Sequence, residues 1–201
     1  MAADLGQDKV RAMAEKFGFN EEKLDVPVRA YTSVYPTDMD KPQTALSGIG
    51  QFEVTATPPL QMAMVSAALA NGGELAAPHM VSKVTDGDGG TLEDFADGDT
   101  KRIVSEDTAK QLRSAMVTVV EKGTGTNARI GGAEVGGKTG TAENGVGNSN
   151  TPPYAWFTSY AKSGGQEVAV AVVVEDSGSS ASEVSGNGLA APIAKKMMER
   201  R

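Results

Sequence analysis

The chain has 201 residues, 39% of them hydrophobic and 22% charged, and carries a net charge of −7; that length suffices for one well-buried core. It has no clustered run of lysine and arginine to hold a phosphate backbone, so nucleic acid is not an expected partner. Cysteine is absent and His79 is the only histidine, which excludes a disulfide framework, a thiol nucleophile and a multi-histidine zinc site, and no metal or cofactor is expected.

Met1 to Leu5 has neither a basic start nor an apolar core and does not read as a signal peptide. Residues 4–18 space Leu5, Val10, Met13, Ala14 and Phe17 along one face of a helix, with Gly18 as its stop. Pro27, Pro36, Pro42, Gly48 and Gly50 make residues 25–50 a long ordered loop. Pro58 and Pro59 open a helix through Leu60, Met62, Ala63, Val65, Ala67, Ala68 and Leu69, since a first helical turn loses nothing from a missing N–H. Asn71-Gly72-Gly73 ends it. His79 reads as a surface loop residue.

Residues 81–104 predict short strands around Asp86-Gly87-Asp88-Gly89-Gly90. That turn lacks the later glutamate of a calcium loop and reads as a solvated hairpin. Ser105 caps a helix with Glu106 and Asp107 in its first turn, where carboxylates suit the helix dipole. Leu112, Ala115, Met116, Val119 and Val120 carry it to a stop near Gly123.

Three strands follow. The first covers residues 133–142. The second, Tyr154 to Ala161, puts Trp156, Thr158 and Tyr160 on one face and Ala155, Phe157 and Ser159 on the other. The third, Glu167 to Val174, is nearly continuous valine and alanine and predicts burial on both faces. Its apolar run is about a third of the ~20 residues a membrane helix needs, so no membrane contact is expected from this segment. The short Lys162 to Gly165 link makes the last two strands an antiparallel hairpin. A Ser/Gly loop over 176–188 leads into a final helix through Leu189, Ile193, Ala194 and Met197. Helices around an antiparallel sheet define an α+β fold.

The first of these strands carries Lys138-Thr139-Gly140-Thr141-Ala142-Glu143. K-T-G is one third of the S-x-x-K, S-x-N, K-T-G set of serine acyl-transfer enzymes. The same residues also satisfy a phosphate-loop string, Gly132 to Thr139. A phosphate loop needs a buried strand before it and a helix after it. Upstream is Thr126-Asn127-Ala128-Arg129-Ile130-Gly131; downstream, Gly140, Gly145, Gly147, Pro152 and Pro153 break any helix. On a strand, Lys138 and Gly140 point one way and Thr139 and Thr141 the other. Gly140 would let another group approach the backbone. An amine and hydroxyls along an exposed edge suit an extended peptide that ends in a carboxylate.

Several further stretches accompany K-T-G: Asp4-Leu5-Gly6, Ala14-Glu15-Lys16-Phe17-Gly18-Phe19, Gly48-Ile49-Gly50-Gln51, Thr57-Pro58, Leu60-Gln61-Met62-Ala63, Ala70-Asn71-Gly72-Gly73 and Ala155-Trp156-Phe157. In this order the chain resembles the C-terminal part of the transpeptidase domain of class B penicillin-binding proteins, through nearly all of residues 1–201. The resemblance implies an incomplete β-lactamase/transpeptidase-like fold and D,D-transpeptidation of peptidoglycan stem peptides, inhibited by β-lactams. It implies an extracytoplasmic protein, anchored in the cell membrane by a segment absent from this chain. Lys138 would then supply charge and hydrogen bonding, Thr139 and Thr141 would contact the substrate carboxylate, Gly140 would line the strand, and the Thr141 backbone N–H would be an oxyanion donor. The expected partners are a stem peptide or β-lactam, and the missing N-terminal half of the domain or a swapped copy.

The nucleophile motifs do not stand upstream of K-T-G, where that family places them. Ser159-Tyr160-Ala161-Lys162 fits S-x-x-K, but on a strand its serine and lysine point to opposite faces, and the chemistry needs them on one. Ser185-Gly186-Asn187 fits S-x-N but follows the K-T-G strand and reads as the start of the last helix. The chain alone is therefore expected to be inactive. A non-enzymatic relative that binds peptidoglycan or a protein partner, and a P-loop nucleotide hydrolase, are the alternatives.

Overall fold

A computed structural model describes residues 1–22, 26, 30–52, 55–95, 98, 100–143 and 152–200. Pro27, Gly145 and Gly147, named above, lie outside these residues.

At the centre is a three-stranded antiparallel sheet: β5 (Glu134–Ala142), β6 (Tyr154–Ser163) and β7 (Gln166–Val174), in that order. Gly164 and Gly165, at φ 58° and 80°, make the two-residue turn between β6 and β7. Both lie in the left-handed region that glycine enters without steric cost. On one face of β6, Ala155, Phe157, Ser159 and Ala161 are all 0% exposed. There they meet Ala190, Ala191, Ala194 and Met198 of the C-terminal helical segment, with Val120, Ala128 and Val135 completing the core. Burying a side chain the size of Phe157 stabilises by ~1.5–3 kcal/mol. On the opposite face, the Thr158 hydroxyl donates to the Met62 carbonyl at 2.7 Å and so accepts from Ser66 at 2.6 Å. This ties helix α4 (Pro59–Ala70) across the sheet.

Several expectations hold. α4 starts at Pro59 and turns out at Asn71. Ser105 accepts the Thr108 N–H at the head of α5 (Glu106–Glu121). Asp86 closes the turn between β2 (Lys83–Thr85) and β3 (Thr91–Asp94) by accepting from the Asp88 and Gly90 amides.

Four expectations are corrected. The N-terminal helix is two pieces, α1 (Ala2–Leu5) and α2 (Gln7–Lys16), because Gly6 at φ 84° breaks it. Neither piece buries a residue, and Leu5 and Met13 remain exposed. The proposed loop over 25–50 contains a helix, α3 (Lys41–Ser47). Asp40 accepts from the Gln43 N–H and Gln43 accepts from the Asp40 N–H, so the two cap it reciprocally. Pro42 lies in the first turn, where it breaks nothing. β7 is not buried on both faces: Val170 and Val172 are buried, whereas Ala169, Ala171 and Val173 are only half-buried, and no described strand pairs with its outer edge. The last helix, α6 (Ala191–Glu199), buries Ala191, Ala194 and Met198, leaving Ile193 and Met197 exposed.

One short pairing escaped sequence reading. β1 (Glu74–Ala76) runs antiparallel to β4 (Thr100–Arg102), and Arg102 donates to Glu74 at 2.7 Å across it.

Candidate functional site

The Lys138-Thr139-Gly140-Thr141 sequence forms the C-terminal half of β5. Its entry is held by glycines whose missing side chains admit aromatic rings. A Cβ at Gly136 would come 2.3 Å from Tyr160 Cε1, and one at Gly137 would come 2.4 Å from Phe157 Cζ. Neighbouring residues of a strand face opposite ways, so one ring packs on each face. This use of the Gly136-Gly137 pair contradicts the phosphate-loop string, since the pair lies inside a strand and leads into more strand.

Around Tyr160, Arg113 of α5 donates to Glu134 at 3.0 Å, and its guanidinium carbon lies 5.7 Å from the ring centroid. The Tyr160 hydroxyl donates to the same carboxylate at 3.3 Å. Burial pushes the Tyr160 phenol above the usual tyrosine value, with its hydrogen bond to Arg113 working against the shift. Hydrogen bonds to Tyr160 and Glu134 hold the Arg113 guanidinium protonated still more firmly than usual. The cluster fixes α5 to the start of β5.

β5 is paired with β6 along one edge only, and no described strand covers the other. Antiparallel pairing turns the N–H and C=O groups of alternate residues to opposite edges. Three contacts identify the groups on the open edge. Gln51 Nε2 donates to the Thr141 carbonyl at 2.9 Å, the Glu143 N–H donates to Gln51 Oε1 at 3.3 Å, and Lys138 Nζ donates to the Thr139 carbonyl at 2.5 Å. The Thr141 N–H lies on the same edge as its own carbonyl. The Thr139 hydroxyl meets that of Thr124 at 2.8 Å, on the segment leaving α5. Lys138 is exposed and forms no ion pair among the described residues. An amine, two threonines and an outward-facing amide thus converge on one open strand edge. Gly140 sits opposite Trp156, whose Cβ would lie 3.0 Å from an added Cβ.

The two motif look-alikes have other duties. Ser159 is fully buried, its hydroxyl 3.1 Å from the Val170 carbonyl oxygen. Lys162 is exposed and pairs with Glu167. Ser185 accepts the Gly188 N–H at 3.0 Å and heads the C-terminal helical segment, as expected. Asn187 accepts from the Asn127 amide at 3.0 Å, which locks that segment to the turn after α5. His79 is exposed, in the loop after β1. Gln51 stands in the Gly48-Ile49-Gly50-Gln51 stretch, with no role signalled by the sequence around it. Its partners stand about ninety positions away, and nothing local to Gln51 signals them.

Residues 1–199 match the family model of the penicillin binding protein transpeptidase domain. The chain is 37% identical over 195 residues to the peptidoglycan D,D-transpeptidase PbpA of Mycolicibacterium smegmatis, covering 97% of this chain and 39% of that protein. It is 37% identical over 142 residues to the stage V sporulation protein D of Bacillus subtilis, covering 69% of this chain and 22% of that protein. Among solved structures, an acyl-enzyme complex of penicillin-binding protein A from M. tuberculosis superposes with a TM-score of 0.85 at 32% identity, over 98% of this chain and 44% of that one. The penicillin G acyl-enzyme of the same protein superposes with a TM-score of 0.81 at 31% identity, over 100% of this chain and 45% of that one. The chain therefore spans less than half the length of the relatives it matches, and it belongs to the penicillin-binding protein transpeptidase domain family.

Proposed function

We propose that residues 1–201 are the C-terminal portion of a D,D-transpeptidase domain that cross-links peptidoglycan stem peptides outside the cytoplasm. The observation that carries this reading is the open edge of β5, where Lys138, Thr139 and the Thr141 N–H gather. An extended peptide adding to that edge would place its terminal carboxylate among Lys138, Thr139 and Thr141. Its reacting carbonyl would face the Thr141 N–H. A donor preorganised for the developing oxyanion is typically worth ~3 kcal/mol of barrier lowering.

The chemistry is acyl transfer in two balanced steps. A serine hydroxyl attacks the penultimate D-alanine carbonyl; the ester bond forms, the peptide bond breaks, and the terminal D-alanine leaves as the protonated amine. An amine of a neighbouring stem then attacks the ester, forming the cross-link and returning the proton to the serine. Ser159 cannot be that serine, because it is buried within the core. The nucleophile belongs to a part of the domain that precedes this sequence, or to a swapped copy of it, and the same part links the site to a membrane anchor.

Labelling with a fluorescent penicillin tests the proposal. The chain alone is expected to take up no covalent label. The chain supplied with an upstream segment carrying S-x-x-K and S-x-N is expected to become labelled. Stable labelling of the isolated chain would overturn the division of the site, and no labelling in either form would favour a non-enzymatic peptidoglycan-binding role.

A further inference from the structure

Gln51 does for β5 what a neighbouring strand would do. Its primary amide carries both donors and an acceptor, and the strand edge engages one of each: Nε2 donates to the Thr141 carbonyl and Oε1 accepts from the Glu143 N–H. Thr141 is the last outward-facing residue of β5, which ends at Ala142, and Glu143 is the first residue beyond it. Gln51 itself follows the turn at the end of α3. There the Gly50 N–H donates to Ser47 at 3.0 Å, and the Gln51 N–H donates to Leu46 at 3.0 Å. Gly50 takes φ 75°, in the left-handed region that glycine enters without steric cost. The side chain thus leaves a backbone whose N–H groups are already paired.

Two consequences follow from this geometry. The peptide plane between Thr141 and Ala142 is held through its carbonyl, which restrains the adjoining Thr141 N–H. The edge beyond Thr141 is also closed, because an added strand finds the Glu143 amide already occupied. The edge left for a ligand is the short stretch from Thr139 to the Thr141 N–H, between the Thr124 hydroxyl at one end and the Gln51 amide at the other.

We infer that Gln51 is a positioning residue of the acyl-transfer site: a side-chain stand-in for a β-strand that fixes the Thr141 peptide and limits how far along β5 an acyl-donor peptide can pair. The inference rests on the reading of β5 as the substrate-binding strand. Gln51 touches neither substrate nor reacting atoms, so its contribution passes through Thr141.

Nuclear magnetic resonance of the isotope-labelled chain, joined to its nucleophile segment, tests the geometry without a ligand. Gln51→Ala is expected to speed hydrogen exchange of the Glu143 amide about tenfold, the effect of losing one ordinary hydrogen bond. The Thr141 carbonyl carbon should shift as it loses its donor, while the β5–β6 ladder stays protected. Gln51→Glu separates the two bonds. Its carboxylate still accepts from Glu143 but has no proton for Thr141 at neutral pH, so Glu143 protection persists, the Thr141 shift is lost, and acidification restores it. A purely structural role would move all the β5 amides together in both variants. Unchanged Glu143 exchange in Gln51→Ala, or an unchanged Thr141 shift in Gln51→Glu at neutral pH, overturns the inference.

The functional arm uses the chain joined to its nucleophile segment. There Gln51→Ala should slow acylation by a fluorescent penicillin about tenfold, as misplacement of a catalytic group does, and unchanged acylation overturns the positioning role. Lys138→Ala runs in parallel. If it too leaves acylation unchanged, the reading of β5 as the substrate strand has failed, a result distinct from any change in the ligand-free spectra.

Discussion

Gly186 lies directly against the Gly140–Trp156 pair of the sheet: a Cβ on Gly186 would stand 2.2 Å from the Trp156 carbonyl oxygen, 2.9 Å from the Gly140 carbonyl oxygen and 3.0 Å from the Gly140 nitrogen. All three are backbone atoms in a hydrogen-bonded ladder and cannot swing aside. The close approach expected at Gly140 is made, on this side, by the backbone at Gly186.

Gly186→Ala should therefore destabilise the fold by about 1–3 kcal/mol, the usual cost of overpacking. Gly131→Ala is the matched control, because nothing lies within 4 Å of an added Cβ there, and it should stay within ~0.5 kcal/mol of the parent. Denaturant midpoints read both. Equal effects would show that the contact at Gly140 is not tight.

Tyr160 gives a pH signature. Burial raises its phenol above the ordinary value, with Arg113 opposing. The raised value stabilises the fold fully below the unfolded value of ~10, and that stability is lost as pH rises through the folded value. Denaturant midpoints should fall above about pH 10, and fall less steeply in Tyr160→Phe. An identical alkaline slope in the two proteins would remove Tyr160 as its source.

Lys138 and Ser159 separate the binding strand from its decoy. In the chain complemented with a nucleophile segment, Lys138→Ala should reduce penicillin acylation about 100-fold or more, as loss of a preorganised electrostatic group does. Ser159→Ala should cost ~1 kcal/mol of stability through its lost hydrogen bond to Val170, and leave acylation unchanged. Loss of labelling in a still-folded Ser159→Ala protein would overturn the assignment of the nucleophile to another segment.

Association should follow from the uncovered surfaces. The outer edge of β7 has no described partner strand, and Leu5, Met13, Leu112 and Ile193 are all more than 40% exposed. Unpaired strand edges and apolar faces promote pairing between copies. Light scattering of the isolated chain should show dimers or larger species that the upstream segment suppresses. A stable monomer in both forms would show that these surfaces need no cover.

What the sequence disclosed was what short-range chemistry determines. Ser105, Pro59 and the Asp86 turn announce themselves through caps and turns that their neighbours complete. The alternation along β6 separates Ala155, Phe157 and Ser159 from Trp156, Thr158 and Tyr160 because a strand has period two, and packing decides which set is the core. α3 was missed because Pro42 reads as a breaker unless its place in the first turn is known. On α6 Ala194 was named and is buried, but Ala191 was passed over for Ile193 and Met197 because alanine carries less hydrophobic signal. Alanine is selected there by close approach to the sheet, which only tertiary packing specifies. Within the site, K-T-G was legible as a string, but the edge that faces outward and the groups that bound it depend on Gln51 and Thr124, which arrive from other parts of the chain.

The Gln51–Thr141 bond spans 90 residues of sequence. On a ribosome adding roughly 5–20 residues per second, Gln51 is made some 5–20 seconds before the strand it must clasp. The hairpin of β6 and β7 can close on local contacts once it emerges, whereas the bounded edge at Thr139 to Thr141 awaits a long-range closure. Assembly of the binding edge thus depends on closing a loop of 90 residues, whereas the β6–β7 hairpin closes across a two-residue turn.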